Sequence, residues 1–527
     1  MNNTDKNHNS KDSENSSRLS RRKILKGAGA VLGTGFLISG QVTAGISKLG
    51  QSVSVKNPVA KNEVIVYTHT TVVTGDPNKA ALKDVALAVK GGKIAAIGET
   101  DSVLKQFPNA EVIDGTNKAL LPGVTNCHAH LSASIAKGFN EDYSFPNRSG
   151  LEVRPSSFLS EEEKTLMSVI ASIHSIRTGT TTVVEYTGNI APEAPELAKT
   201  GLRWVFAEGV NDRIGGGAMS PEKFAESSTP EYSAKDREEG MQRIQDLYNA
   251  WHGKNNGKIQ VFPAVRHTEN ASPELLKEIR SFAEKYDLNY TIHLNQTYAE
   301  IQYMLKYHNV YPSEYLYNND FLGPNLFVGH ARYVNELEIE MLGKTKTMIS
   351  HQAAMASNRG VSPPIPALRA AGCPICLGTD NNNNDMFAVM KLAMLTERIK
   401  RNDVYPGMYP QPEDILYDAA FNGAKATRQE DKLGLLEEGK IADIIVLNTL
   451  QAHLVPSGRI LSAWLHNGMP SDVESVIVDG EFIMKDHKIL TLDEEAIVKE
   501  AAKIGERAWT ATEKANPVVP PGRTNWI

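Results

Sequence analysis

Cysteine is scarce in this chain, which has three among its 527 residues. So few cannot form the disulfide framework of a small secreted protein. Cys373 and Cys376 have the C-x-x-C spacing of a redox pair, but a zinc ribbon would need a second such pair. Their flanks, AAGCPICLGTD, are typical of a buried strand. We therefore expect both cysteines to have a structural role.

The chain also lacks an excess of basic residues and, beyond its N-terminus, any long apolar run. Its formal net charge is −6 at pH 7, whereas general nucleic-acid binders usually carry a basic excess. No apolar stretch after the N-terminus is long enough to cross a bilayer. With 41% hydrophobic and 22% charged residues, the composition is that of a globular protein. We expect neither nucleic-acid binding nor a stable membrane anchor.

The N-terminus has the pattern of an export signal. Arg21-Arg22 followed by Ile24-Leu25-Lys26 matches the twin-arginine motif. The apolar stretch that follows is short and Gly-rich, and Val42-Thr43-Ala44 supplies small residues for cleavage. We expect the twin-arginine export machinery to deliver the protein to the periplasm, the cell surface or the medium. An uncleaved anchor is the alternative.

Short β-branched runs follow this signal. EVIVYTHTTVVTG, DVALAVKGGKIAAIG and AEVIDGTNKALLPG alternate in polarity and are separated by Gly, Asn and Asp. The pattern predicts antiparallel strands with a hairpin turn at Gly91-Gly92, and a short helical piece near Leu104. Strands of the same style return after Asp431. We infer one composite β-sandwich formed from both ends of the chain.

Between these regions, strands and helices alternate. Seven runs from TTTVVEY to PICLGTD join the strand that contains His128, and helical stretches such as EEEKTLMSVIASIHSIR and PELLKEIRSFAEKY separate them. Eight such repeats in roughly 300 residues predict an α/β fold, a closed (β/α)8 TIM-like barrel. The alternative, an open doubly wound sheet, lacks its Gly-rich phosphate turn after the first strand.

These patterns divide the chain into six segments. Because both β regions flank the barrel in sequence, the chain ends are expected to meet beside it. The predicted segments are a signal peptide at 1–44, a linker at 45–62, the first part of the sandwich at 63–122, the metal-dependent barrel at 123–435, the second part of the sandwich at 436–490, and a C-terminal helix and tail at 491–527.

Polar residues end several of the predicted barrel strands. His128 and His130 lie two apart on one strand, so their side chains point the same way and can meet one ion. His293, His330 and Asp380 each follow mostly apolar residues at the end of a later strand. Barrel chemistry takes place at the carboxyl ends of the strands. The five residues are therefore candidates for one metal-dependent site.

The same segments resemble the amidohydrolase superfamily, in the branch of chlorohydrolases and nucleobase deaminases. LLPGVTNCHAHL is similar to its first-strand motif and RTGTTTVVE to its second. IHLNQT, GHA, SHQAAMASN, GTDNNNNDMF and LGLLEEGKIADIIVL resemble the later motifs in order. The resemblance covers about Glu63 to Lys488, and it implies a barrel with a composite β-sandwich.

The resemblance also implies the roles of the site residues. It makes His128, His130, His293 and Asp380 ligands of one divalent metal, Zn²⁺ first and Fe²⁺ second. The metal lowers the pKa of its bound water towards neutrality. Asp380 takes that water's proton and passes it to the leaving group, as general base and acid. His330 holds the water or polarises the bond under attack.

The metal count and the substrate contacts depend on other residues. Two-metal members use a lysine at the end of the fourth strand, and KIQVFPAVRHTEN has none there, so we expect one metal per chain. Glu185 is more simply interpreted as a solvated or salt-bridged loop residue than as a ligand. Arg266 either contacts an acidic or carbonyl substrate or lies on the surface. His351, after the seventh strand, either supports the metal site or only packs.

Two positions depart from the branch. Its deaminases and dechlorinases read His-x-x-Glu after the fifth strand, where this chain has Gln296. That glutamate protonates a ring nitrogen as water attacks the neighbouring carbon, whereas an amide can only donate a hydrogen bond. Losing a general acid typically costs a factor of about 10² to 10⁴ in rate. The branch also often has Pro-His after the fourth strand, where this chain has Pro263-Ala264.

Three functions follow from these features. The leading hypothesis is an exported amidohydrolase that hydrolyses an amide, urea or carbamate-type C–N bond of a small molecule, with Asp380 alone protonating the leaving nitrogen. The second is a deaminase of an N-heterocycle or amidine, in which Gln296 only orients the ring. The third is a metal-binding protein without turnover, although His330 and Asp380 speak against it. The oligomeric state is an open question, and exposed faces of the sandwich and the barrel are compatible with a homodimer.

Overall fold

The computed structural model describes residues 64–139, 141, 153–381, 383–403 and 408–516. The predicted signal peptide and linker lie outside these residues, as does the end of the tail from residue 517. Within the described part of the chain, no helix combines the length and apolarity needed to span a bilayer. Cys373 and Cys376 are buried and not joined in a disulfide, as expected.

The described part of the chain begins with five strands, two of which form the predicted hairpin. Gly91 and Gly92 form its turn with φ of +59° and +78°, a conformation that favours glycine. The strands are β1 (Val64–Val72), β2 (Leu82–Lys90), β3 (Lys93–Gly98), β4 (Glu111–Asp114) and β5 (Lys118–Pro122).

The direction of β4 and β5 differs from the prediction. β1, β2 and β3 pair antiparallel as expected, but β4 and β5 both run parallel to β1. The reason is the helix Thr100–Gln106, which carries the chain back across the sheet before β4 begins. Parallel neighbours need such a crossover, whereas a tight turn gives an antiparallel pair.

The next nine strands form a parallel, curled sheet. They are β6 (Val124–His130), β7 (Thr180–Thr187), β8 (Arg203–Val210), β9 (Ile259–His267), β10 (Tyr290–Leu294), β11 (Leu326–His330), β12 (Met348–His351), β13 (Ile375–Leu377) and β14 (Asp380–Asn381). Consecutive strands from β6 to β13 are neighbours, and β14 pairs with β6. Because β13 and β14 are two residues apart, this segment contacts both edges of the sheet. The arrangement agrees with a TIM-like barrel.

Four more strands return to the first sheet: β15 (Ile444–Asn448), β16 (Val473–Val478), β17 (Glu481–Lys485) and β18 (Lys488–Ile489). β15 pairs antiparallel with β5, so both ends of the chain share one sheet in the order β18-β17-β16-β15-β5-β1-β2-β3. The strand pairing of the described residues gives one continuous sheet. The second layer of a composite sandwich, like the domain boundaries, stays a prediction.

Seventeen α-helices of the described residues surround these sheets. Two predicted helices have the bounds expected from sequence, and both begin at a serine whose hydroxyl accepts a backbone N–H of the first turn. The helices are α1 (Thr100–Gln106), α2 (Glu161–Arg177), α3 (Ala194–Leu197), α4 (Pro221–Ala225), α5 (Ala234–Trp251), α6 (Lys254–Gly257), α7 (Pro273–Tyr286), α8 (Tyr298–His308), α9 (Pro312–Asn318), α10 (Glu336–Lys344), α11 (Ala353–Asn358), α12 (Ile365–Ala370), α13 (Met386–Arg401), α14 (Pro412–Ala419), α15 (Phe421–Ala426), α16 (Ile460–Asn467) and α17 (Glu494–Ala515).

A buried ion pair joins the two sheets. Arg203 at the start of β8 donates from Nε to Asp443 Oδ2 at 2.7 Å and from Nη2 to Oδ1 at 3.0 Å. The two side chains are 3% and 5% exposed. Two parallel hydrogen bonds fix the orientation of an arginine as well as its position. This contact therefore holds the parallel sheet against the segment that leads into β15.

Candidate metal centre and active site

His128 and His130 occupy the carboxyl end of β6, as predicted. His128 is fully buried, and two glycines make room for it. A Cβ on Gly329 would lie 3.0 Å from the His128 ring, and one on Gly378 would lie 2.8 Å from its backbone nitrogen. These glycines belong to β11 and to the segment between β13 and β14. Three strands thus approach closely around this imidazole.

His130 and His293 face each other with their Nε2 atoms 3.2 Å apart. Each Nδ1 lies 2.5 Å from a backbone carbonyl oxygen, that of Tyr186 for His130 and that of Arg266 for His293. An Nδ1 that donates to a carbonyl leaves a lone pair on Nε2. Two facing lone pairs repel unless a cation lies between them. Two nitrogens bound tetrahedrally to zinc would be about 3.3 Å apart.

Further ligand atoms without hydrogen-bond partners surround this pair. Both ring nitrogens of His128 and of His330, and Oδ2 of Asp380, are buried and unpartnered among the described residues. Buried polar atoms are normally satisfied, so each calls for a missing partner. The ligand atoms of His128, His293 and His330 lie within 4.8 Å of one another, as do those of His128, His130 and Asp380. Imidazole and carboxylate suit a divalent transition metal.

Burial keeps these imidazoles neutral. It lowers the pKa of His128, His293 and His330 well below the ordinary value; neighbouring imidazoles contribute to the lowering at all three, and Arg332 contributes at His128 and His330. The pKa of His130 is lowered too, again mainly by burial, although the carboxylate of Asp380 opposes this. A neutral imidazole is the form that binds a metal. The donor set therefore fits one divalent ion at neutral pH.

The backbone at the strand ends adopts a conformation that side chains rarely take. Asn295 after β10, His330 and Ala331 at the end of β11, and Asp380 at the start of β14 have φ of +47°, +80°, +50° and +67°. For residues other than glycine such angles cost free energy and collect at functional sites. Here they turn the chain so that His330 and Asp380 stay beside the histidine cluster.

Gln296 lies next to this cluster in the turn after β10. It is 8% exposed, and its backbone N–H donates to Glu300 Oε2 at 2.7 Å. The side-chain oxygen Oε1 is buried without a partner among the described residues. Glu300 also accepts the N–H of Asn295 at 2.9 Å. The turn is thus held by two hydrogen bonds to Glu300, while the predicted contact of Gln296 with a substrate stays a prediction.

The end of β9 differs from the prediction. Pro263 and Ala264 pair with β8 inside the strand, and the strand continues to His267. Arg266 and His267 therefore occupy the strand end that the sequence assigned to Pro263-Ala264. His267, to which the sequence assigned no role, stacks on His293 with ring centroids 4.7 Å apart. Its place at a strand end was the available signal.

Arg266 and His267 also border a cavity of about 640 Å³. The three consecutive glycines from Gly215 to Gly217 and the side chain of Arg213 line the same cavity. The backbone carbonyl of Arg266 accepts the Nδ1–H of His293 at 2.5 Å, so this residue adjoins the metal centre. Its predicted role in substrate binding agrees with this position and stays a prediction.

His351 lies at the end of β12, but apart from the two groups of ligand atoms that the described residues form. It is buried with both ring nitrogens unpartnered, and burial lowers its pKa to about 3. Its backbone carbonyl accepts the N–H of Gly378. A supporting role and a packing role both remain compatible with this place.

Glu185 is not the solvated or salt-bridged loop residue that the sequence suggested. It lies in β7, is fully buried, and accepts the backbone N–H of Leu131 at 3.0 Å. Burial and the nearby Glu193 raise its pKa well above the ordinary value. The error arose because a carboxylate near a strand end looks exposed in sequence, whereas the burial of Glu185 is decided by the neighbouring strands and by the turn that follows His130. Glu185 secures the turn directly after His130.

Arg332 was also missed, since nothing in the sequence marks it. Its side chain is 2% exposed, and its Nη2 lies 3.7 Å from Asp380 Oδ2. Burial lowers its pKa to about 10, and the carboxylate of Asp380 opposes that change. The guanidinium is therefore a buried cation at neutral pH.

A buried cluster of neutral histidines with an aspartate, at the carboxyl edge of a curled parallel sheet, defines a metal-dependent hydrolase site. The model of the amidohydrolase family matches residues 119–483, and the chain belongs to this family. It is an enzyme of the class that hydrolyses C–N bonds other than peptide bonds with the help of a metal. The expected family is thus confirmed.

The chain aligns with curated relatives over nearly the whole of their length. A 5′-deoxyadenosine deaminase of Methanosarcina barkeri is 29% identical over 453 residues, 85% of this chain and 98% of its own. A 5-methylthioadenosine/S-adenosylhomocysteine deaminase of Carboxydothermus hydrogenoformans is 28% identical over 449 residues, 84% of this chain and 98% of its own.

Solved structures support the fold. An adenosine deaminase from Xanthomonas campestris with bound zinc superposes with a TM-score of 0.75 at 21% identity, covering 85% of this chain and 99% of its own. An atrazine chlorohydrolase from Arthrobacter aurescens with zinc gives a TM-score of 0.70 at 19% identity, with 84% and 100% covered. At these identities the likeness concerns the architecture alone.

Proposed function

We propose that this protein is a hydrolytic deaminase that releases ammonia from the adenine ring of a nucleoside. The observation that carries the proposal is the near full-length similarity to relatives named as deaminases of adenine nucleosides. Those names favour the deaminase alternative over the amide, urea or carbamate hydrolysis that the sequence put first. The five metal-centre residues and the donor side chain of Gln296 suit attack by water on an amino-substituted ring.

The roles of the residues follow from their contacts. His128, His130, His293 and Asp380 would hold one divalent ion, zinc first and iron second, which would supply the Lewis acidity that makes a water acidic. Asp380 Oδ1 lies 3.8 Å from His130 Nε2, while Oδ2 has no hydrogen-bond partner among the described residues. One oxygen can therefore face the ion while the other receives the water's proton. His330 would orient that water.

A second candidate keeps one specific observation in its favour. Gln296 stands where the branch has a carboxylic acid, and an amide cannot deliver a proton to a ring nitrogen. Hydrolysis of an amide, urea or carbamate needs no such proton, because Asp380 can serve the leaving nitrogen alone. The two functions differ in substrate and not in the metal centre.

A substrate panel separates them. The purified zinc-loaded protein is incubated with adenosine, 5′-deoxyadenosine and 5′-methylthioadenosine, and in parallel with small amides, ureas and carbamates. We expect ammonia release from at least one nucleoside, accompanied by the absorbance change from an aminopurine to an oxopurine. His293→Ala, matched for expression, controls for contaminating deaminase. Turnover of the amide series without ammonia from any nucleoside would replace the proposal by the second candidate.

Export is a separate part of the proposal. It rests on the twin-arginine pattern before residue 45, which lies outside the described residues. Replacing Arg21-Arg22 by Lys-Lys should retain the protein in the cytoplasm of the producing cell, with the N-terminal segment still attached. Equal amounts of the wild type and of the Lys-Lys variant outside the cytoplasm would contradict twin-arginine export.

A further inference from the structure

The chain directly after β11 keeps Arg332 in a defined place. Ala331 and Arg332 donate their backbone N–H groups to the carbonyls of Leu294 and Asn295, at 2.9 and 3.1 Å. These carbonyls belong to the segment that leads to Gln296. The positive φ of His330 and Ala331 provides the sharp turn that this pairing requires. Arg332 and Gln296 are therefore presented from two adjoining segments of one rigid unit.

The guanidinium of Arg332 is buried with one of its nitrogens, Nη2, unsatisfied among the described residues. Its Nη2 has no hydrogen-bond partner among the described residues, and at 3.7 Å from Asp380 Oδ2 it is too distant for a hydrogen bond. Asp380 Oδ2 is equally unpartnered there. A buried N–H group without an acceptor costs free energy. Something that binds between these residues during turnover would supply the acceptor.

Attack of water on an aminopurine creates such an acceptor. As the oxygen bonds to the ring carbon, the electron pair of its C=N bond moves to the ring nitrogen. Gln296 can donate one hydrogen bond to a group in this region but carries no charge. We propose that Arg332 is a catalytic residue, whose guanidinium donates to that ring nitrogen in place of the missing protonating carboxylate. The proposal rests on the deaminase function proposed above.

The reaction balances without a proton from Arg332. Asp380 takes one proton of the water, and the remaining hydroxyl bonds to the ring carbon. The electron pair stays on the ring nitrogen, held by the N–H of Arg332. Asp380 then passes its proton to the amino group, the C–N bond breaks, ammonia leaves and the C=N bond forms again. The product is the hydroxy tautomer, which converts to the oxo form in water.

Arg332→Met removes the charge while keeping the length of the side chain. We expect kcat on the nucleoside to fall about 10²- to 10³-fold, as for loss of a donor to a developing anion, with KM changed less than about threefold. Metal content, measured by elemental analysis, should stay at the wild-type level. The matched control is Arg428→Met, since Arg428 pairs with Asp287 before the start of β10, away from the carboxyl ends of the strands. Its kcat should equal that of the wild type.

Two further variants separate catalysis from packing. In Arg332→Ala, guanidinium ion should restore turnover at least tenfold while urea, of similar shape but neutral, should not. Gln296→Glu should restore turnover at least tenfold in the background of Arg332→Met, because it returns a protonating carboxyl. If Arg332→Met does not fold, these measurements are made with Arg332→Ala and Arg332→Lys.

The outcomes of these experiments distinguish the proposed deaminase function from the proposed role of Arg332. No ammonia from wild-type protein with any nucleoside would overturn the deaminase function and this inference together. Wild-type ammonia release with an unchanged kcat in Arg332→Met would overturn the inference alone. So would equal rescue by urea and guanidinium, since that would show filling of space. A loss confined to KM would show a binding role instead of the catalytic one.

Discussion

Within the described part of the chain, the buried pairs Arg203–Asp443 and Arg332–Asp380 differ in how completely they are satisfied. Arg203 and Asp443 make two hydrogen bonds, at 2.7 and 3.0 Å. Arg332 and Asp380 are as deeply buried but stay 3.7 Å apart. The first pair serves stability, because every strong donor has an acceptor. The second is incomplete, as expected where the missing partner is a substrate and stability has been given up for function.

Loss of Asp380 should have the largest effect. Asp380→Asn removes a proposed metal ligand and the group proposed to carry the proton, so we expect kcat to fall by about 10⁴-fold or more. Steady-state ammonia release and metal content measure the two contributions separately. Unchanged turnover in this variant would contradict the metal-site assignment as a whole.

Loss of a histidine ligand should lower metal retention first. His293→Ala leaves Nε2 of His130 without its facing nitrogen, so we expect less than a tenth of the wild-type metal content after dialysis against a weak chelator. The control His351→Ala should retain the metal, since His351 lies outside both groups of ligand atoms. Two metal ions per wild-type chain would contradict the single-metal assignment.

Replacing Arg203 and replacing Arg332 should change the free energy of unfolding differently. Arg203→Met leaves the Asp443 carboxylate buried without its partner, which typically costs about 3–5 kcal/mol, and unfolding by urea should begin at a lower concentration. Arg332→Met removes an unsatisfied cation, so its unfolding midpoint should equal or exceed that of the wild type. Equal losses in both variants would show that the incomplete pair is structural after all.

Replacing the buried carboxyl group of Glu193 should have the smallest effect, a pH-dependent change in stability. Burial raises the pKa of Glu193 to about 7, above the value of an unfolded chain. The folded state therefore loses stability as the pH rises from about 4.5 to 7, while the unfolded state ionises. Glu193→Gln should be more stable than the wild type at pH 8, by about 3 kcal/mol, and equal to it below pH 4.5. Parallel stability curves over this range would exclude the effect.

Local chemistry made much of the fold predictable. The helix Glu161–Arg177 begins at Ser160, whose hydroxyl and Glu163 carboxylate form a capping box. Alternating strands and helices predicted a barrel, and polar residues after apolar runs marked His128, His293, His330 and Asp380. Each of these signals spans only a few consecutive residues. It can therefore be recognised without knowing which distant residues pack against it.

Local sequence patterns did not predict other features of the structure. The direction of β4 and β5 depends on where α1 delivers the chain, and the length of β9 depends on pairing with β8 and β10. Arg332 and Glu185 look like ordinary polar residues in sequence. Their burial is decided by strands that approach from elsewhere.

The sequence by itself determined the family, the barrel order and the residues able to hold a metal, because each is encoded in local patterns. The tertiary structure decided which donors meet. It placed two Nε2 atoms 3.2 Å apart and left Nη2 of Arg332, beside Asp380, without an acceptor in the part of the chain that the structure describes. Such distances arise from the closing of strands far apart in the chain, which no local pattern contains.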